Sequence, residues 1–348
     1  MRRRCTQREA DMANNHVPVD EGPPGDRLPQ LDAALDKGEA TIHQLLETHF
    51  GQLEWQSPDS AQRDNYAWYY PRIRAAFEKK SGSIDEFYAC TKIRAAVLLT
   101  SNDDIHLYYD VGQCPQADAL LAGAYQLAIE VPQYLNGNDL RRCLEMIFDT
   151  LNGALGMMNR VADGKLGQDQ ILTVDEDTLK VYEDDLVHAQ TFFDRATQRR
   201  SQITYFGGTT VGLAIPAAVI GCLIFFWSQA DSDFDFGPLV GALGAGAVGA
   251  WISVIQRMAS SSLQLDYSAG SSQLRLLGMV RPVVGAIFGA ALYFVIESEV
   301  LPLTIRSDGR NDLFFFIAVG FIAGFQERWA QDMLTVSKNS LSQTADKQ

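Results

Sequence analysis

The stretch SQITYFGGTTVGLAIPAAVIGCLIFFWSQA, residues 201–230, contains no Asp, Glu, Lys, Arg or His. As a helix rising ~1.5 Å per residue it outlasts a ~30 Å hydrocarbon core, so it reads as a membrane span. Three further apolar runs follow it, at 236–256, 282–296 and 313–326, separated by polar loops. The last two are short. They reach across if flanking charges sit at the membrane boundary and snorkel, which gives spans of about 203–228, 236–256, 276–298 and 313–334.

Working outward, the chain divides by composition. Residues 1–28, rich in Pro, Gly, Asn and charge, read as a flexible tail without the apolar core of a signal peptide. Residues 29–173 read as a cytosolic α-helical domain, 174–200 as a linker helix, 201–334 as a four-span transmembrane domain, and 335–348 as a cytosolic tail. The expected fold class is all-α: a cytosolic helical domain joined by a long linker helix to a four-helix transmembrane bundle.

Within the first domain, helical spacing runs through Leu31, Ala34, Leu35, Ile42, Leu45, Leu46 and Phe50, interrupted near Gly38. Ser83-Ile84-Asp85-Glu86 has the form of a capping box and predicts a helix through about Leu99. Pro71 is expected to end or kink the helix that holds Tyr66, Trp68, Tyr69 and Tyr70. Those aromatics, beside Arg72 and Arg74, form either a ligand platform or ordinary core. Leu179, Tyr182, Leu186, Ala189, Phe193 and Ala196 follow a 3-4 repeat, and its short length favours packing within the chain over a coiled coil. The repeat enters the first span with no Pro or Gly before Gly207, so one helix could carry movement into the membrane.

Charge sets the expected orientation. Arg195, Arg199, Arg200, Arg257, Arg275, Arg281, Arg328 and Lys338 fall on one side of the spans, and Arg306 and Arg310 on the other. The basic side is cytoplasmic by the positive-inside rule, and an even span count returns both termini there. The boundary residues are Arg199, Arg200, Arg257, Arg281, Glu327, Arg328 and Trp329. Residues 1–200 carry 21 Lys+Arg against 32 Asp+Glu, a balance that disfavours nucleic acid.

Small residues recur within the spans: Gly237, Gly241, Ala245, Gly249 and Ser253 at every fourth position, then Gly285 and Gly289, then Gly320 and Gly324. Such faces let helix backbones approach closely, within one chain or in a homo-oligomer.

The ending FIAGFQERWAQDML, residues 321–334, resembles the tail of poorly characterised bacterial multispan membrane proteins with an Ala-Gly-Phe-x-Glu-Arg sequence after the last span. The resemblance extends from about Leu239 onward and includes the connection between Arg257 and Arg281; Gln326 stands where Ser is expected. It implies a bacterial inner membrane and no assigned chemistry.

No nucleotide-binding, zinc-protease, hydrolase or paired-CxxC pattern is present, so neither catalytic residues, cofactor nor metal is expected. The five scattered cysteines read as reduced thiols. No titratable group lies at a span midplane, which disfavours coupled transport. The expectation is a non-enzymatic multi-pass protein whose cytosolic domain binds a protein or small-molecule signal and couples to a tetraspan scaffold. The alternative is an oligomeric pore gated by that domain, with Glu297 and Glu299 as an acidic ring at the outer mouth rather than solvated helix-end carboxylates.

Overall fold

In the computed structural model the described residues are 23–53, 56–57, 59–112, 114–164, 172–229, 236–259, 270–298 and 310–326. They are mostly helical, and the chain divides into two compact units, Met1–Ala196 and Thr197–Gln348.

The first unit opens with α1 (Pro29–Lys37), α2 (Ile42–Gly51) and α3 (Ser60–Ser81). Helix α1 stops at Gly38, whose φ of 65° suits a residue without Cβ. Thr41 and Gln44 cap α2 reciprocally, each side chain bonding the other's backbone N–H. Pro71 lies inside α3, which continues to Ser81 rather than ending there; Tyr69, Ile73, Ala76 and Phe77 are buried on both sides of it. The last residues of the segment read as a tail dock here: the Asp26 carbonyl accepts from Asn65 Nδ2 at 2.7 Å, and the Leu28 N–H donates to Tyr69 Oη at 3.3 Å, while residues 1–22 lie outside the described residues.

Next come β1 (Ile84–Ala89), β2 (Ala96–Thr100) and β3 (Ile105–Tyr108), an antiparallel sheet in the order β1-β2-β3. This corrects the all-α expectation and the helix predicted from Ser83 to Leu99. The run Ala96–Thr100 is buried along its whole length, and an apolar run of that kind has no period that separates strand from helix. The return between β1 and β2 is held from a distance: Asn159 Oδ1 accepts the N–H groups of Thr91 and Lys92 at 3.0 and 2.8 Å.

The sheet separates two cores. Val97, Leu99 and Ile105 face the larger core, made with α4 (Pro115–Tyr134) and α5 (Gly137–Asp163). Leu98, Phe87 and Ile84 face α1 and α3. A register shift between Ile84 and Glu86 lets Ile84 share the face of Phe87, against strict alternation. Arg141 ties α5 to the sheet, donating to the Thr100 carbonyl at 3.1 Å and pairing with Asp85 at 2.8 Å and Asp103 at 3.4 Å.

Helix α6 (Glu176–Gly212) adds its first turns to the larger core. Ala189 and Phe193 are buried there, Tyr182 lies over Gly153, and Leu186 lies over Gly123. The 3-4 repeat is therefore satisfied within the unit.

The second unit contains the rest of α6, then α7 (Ala214–Gln229), α8 (Gly237–Ala259), α9 (Ser271–Glu297) and α10 (Arg310–Gln326). Leu213 separates α6 from α7 because Pro216 has no N–H for the Gly212 carbonyl; helical bonding resumes with Ala217 N–H to Leu213 O at 3.2 Å. Three helices are long and apolar enough to cross a membrane: the joined α6–α7, α8 and α9. Residues Asp312–Gln326 of α10 form a shorter apolar helix, and its expected continuation to 334 lies outside the described residues.

His49 gives the first unit a pH dependence. It is ringed by Phe50, Tyr70 and Phe87 at 5.1–5.6 Å, and burial, reinforced by the Arg74 charge, pushes its pKa down to about 4. The unfolded chain, near 6.5, binds the proton first, so stability is full above pH 6.5, falls as pH drops towards 4, and then levels. Replacing His49 by Phe is expected to remove roughly 2 kcal/mol of that acid-side loss, read from urea unfolding at pH 7 and pH 4.

Candidate functional site

The feature that organises the second unit is a set of helix contacts lined by glycine. A Cβ placed on Gly246 of α8 would collide with the Gly285 carbonyl oxygen and stand 3.3 Å from the Gly289 Cα on α9. A Cβ on Gly324 of α10 would strike the Gly246 carbonyl. One on Gly320 would lie 2.5 Å from the Ala242 oxygen, and one on Gly249 would lie 2.9 Å from the Phe325 nitrogen. Helix α8 thus touches both α9 and α10 backbone to backbone. Such approach gains dispersion contact without help from water.

The registers give the helix directions. Gly246 meets Gly285, and Ala242 meets Gly289, so α8 and α9 are antiparallel. Ala242 meets Gly320, and Gly246 meets Gly324, so α8 and α10 run parallel. Gly208 meets the Arg275 carbonyl, and Gly212 that of Met279, so α6 runs parallel to α9. Trp251 of α8 stacks on Phe206 at 5.8 Å and donates to Thr210 Oγ1 at 3.3 Å, while Ile220 of α7 reaches Gly244. The directions alternate along the chain.

This alternation gathers charge. The ends that carry Arg199, Arg200, Arg257, Arg275 and Arg281 lie together, while the exposed Glu297, the half-buried Asp312 and Arg310, the first residue of α10, mark the opposite end. Glu299, Glu327, Arg328 and Trp329 lie outside the described residues. Between the ends, the outward faces are apolar: Phe225, Phe226, Leu276, Phe288, Phe294 and Ile322 are all exposed.

The small residues singled out from sequence fall into two groups. Gly249, Gly285, Gly289, Gly320 and Gly324 sit at backbone contacts; Gly241 faces the Leu313 and Ile317 side chains at 3.0 Å. Gly237 and Ala245 are half-buried. Gly241 and Gly249 of the every-fourth line both face α10, through Leu313 and Ile317 and through Phe321 and Phe325 respectively. The tighter seam, Ala242, Gly246 and Ala250, was passed over, as were Gly208, Gly212 and Gly278. Each belongs to a small-residue spacing visible in the sequence, but only the neighbouring backbones separate it from the other.

In the first unit the aromatic cluster is divided among packing roles. Tyr69 is fully buried and donates to Asp32 Oδ1 at 2.7 Å; Trp68 lies 3.8 Å beneath the Arg72 guanidinium. His43 and His49 lie apart, against Tyr108 and the Phe50–Tyr70–Phe87 group respectively. Burial pushes the thiols of Cys90 and Cys143 up to about 12, so both stay protonated and unreactive. Among the described residues no group of three or more His, Cys, Asp or Glu could hold a metal ion.

Comparison with protein-family profiles, with curated proteins and with solved structures finds no match to this chain.

The packing predicts a contrast between two glycines. Gly246→Leu is expected to destabilise the detergent-purified chain by roughly 3 kcal/mol, because two backbones must move. Gly221→Leu, with nothing within 4 Å of its Cβ position, is expected to change stability by less than ~0.5 kcal/mol. Unfolding titrations in mixed detergent read both.

Proposed function

We propose that this chain is a non-enzymatic multi-pass membrane protein with four spans and both termini in the cytoplasm. Its first unit would bind a cytosolic protein or small-molecule signal. Helix α6, which contributes residues to both units, would connect that event to the membrane helices. The observation that carries the reading is the pairing of alternating helix directions with an arginine asymmetry: Arg199, Arg200, Arg257, Arg275 and Arg281 at one set of ends, and among the described residues Arg310 alone at the other. Apolar helices of this length, exposing Phe, Ile and Leu outward, suit lipid and are unfavourable in water. The arginine asymmetry supports a cytoplasmic basic side, in a bacterial inner membrane.

A scaffold stands ahead of a multisubunit pore because the main glycine faces of α8, α9 and α10 are engaged within one chain. A homo-oligomer would then form through other faces, such as the exposed side of α7. Glu297 remains the residue that a pore would place at its outer mouth.

Orientation is tested with single cysteines in a chain otherwise free of them. A membrane-impermeant maleimide is expected to label Ser298→Cys in intact cells and Ser271→Cys only after permeabilisation; the reverse order would invert the topology. In liposomes with a trapped dye, the scaffold reading expects retention by the reconstituted chain, whereas release would favour the pore.

A further inference from the structure

Arg281 sits between two apolar runs of α9, residues 276–280 and 282–296, about 9 Å along the axis from Arg275. The contact of Gly285 with Gly246 and Ala250 places it inward of Arg257, which lies in the last turn of α8. A guanidinium cannot shed its proton to escape such a setting. Among the described residues no carboxylate pairs with it.

Its partner is an aromatic face. The guanidinium carbon of Arg281 lies 5.9 Å from the ring centroid of Tyr205, a buried residue whose carbonyl packs against Gly278. Helical side chains lean towards their own N-terminus, and in α9 that is the basic end. The ring takes up part of the charge but offers its face no lone pair, so the N–H fork stays open to an anion. Beside it, Leu276, Leu277 and Val280 are exposed at 62%, 58% and 48%, an apolar strip along the same stretch of helix.

We propose that Arg281, seated on Tyr205, binds the phosphate of an anionic phospholipid in the leaflet at the basic helix ends. The proposal rests on the membrane reading above. Guanidinium and phosphate match as fork to oxygens, and basic sites between spans on the cytoplasmic side hold anionic headgroups. Free phosphate offers the same oxygens. The strip of Leu276, Leu277 and Val280 selects the lipid, because it gives acyl chains a surface to lie along.

The test uses the full chain purified in detergent, with bound lipid read by native mass spectrometry during titration with phosphatidylglycerol or phosphatidylcholine. The expected result is preferential retention of phosphatidylglycerol, undiminished by millimolar inorganic phosphate. Arg281→Gln should weaken it about fivefold, the weight of one basic residue at an anionic surface. Arg281→Lys, which keeps the charge, should weaken it less, and Tyr205→Phe, which keeps the ring, should match the parent. Equal retention by Arg281→Gln and the parent would overturn the proposal, as would equal retention of the two lipids. Displacement by inorganic phosphate would make the site one for free phosphate and overturn the lipid assignment. A chain that stays soluble without detergent would remove the membrane reading itself, before any lipid is added.

Discussion

The second unit depends on the absence of side chains along the Gly246 region of α8. Two neighbouring helices reach that backbone together, α9 through Gly285 and Gly289 and α10 through Gly320 and Gly324. Any Cβ there would force apart a pair of helices rather than displace a rotamer. The close approach fixes register, register fixes helix direction, and direction decides which charges share an end.

The first unit rests on a different economy. Strand β2 is short and fully buried, and its alternate residues serve two cores, one with α4 and α5 and the other with α1 and α3. A strand of this kind contributes little polar surface of its own, so its ends are secured by groups from far along the chain. Arg141 reaches the Thr100 carbonyl and the carboxylates of Asp85 and Asp103; Asn159 holds the return between β1 and β2. Burial also explains the chemical quietness of Cys90, Cys143 and His49, whose charged forms are all disfavoured.

Charge is placed differently in the two units. In the first, Arg74, Lys80, Lys92 and Arg141 meet carboxylates of the same unit, and Arg72 and Arg142 lie over its aromatic rings. In the second, five arginines gather at one set of helix ends and Arg310 begins α10 at the other; of the five, Arg281 lies inward of the rest with a tyrosine face as its described neighbour. A permanent charge beside exposed Leu and Val, with no carboxylate partner among the described residues, is costly in either water-poor protein or lipid.

By itself the sequence determined the apolar runs, the interruption of helix at Gly38 and the inward repeat of α6, because each is written in local spacing and composition. It also displayed the small residues of α8, read as the single line from Gly237 to Ser253. Tertiary structure decided the rest. The sheet arose where a capping box had predicted helix, since a strand buried on both faces has no period and its return is held by Asn159, far away in the chain. The seam through Ala242 and Gly246, and the seating of Arg281 on Tyr205, likewise depend on which backbone lies opposite, and spacing along a single helix carries no record of its neighbours.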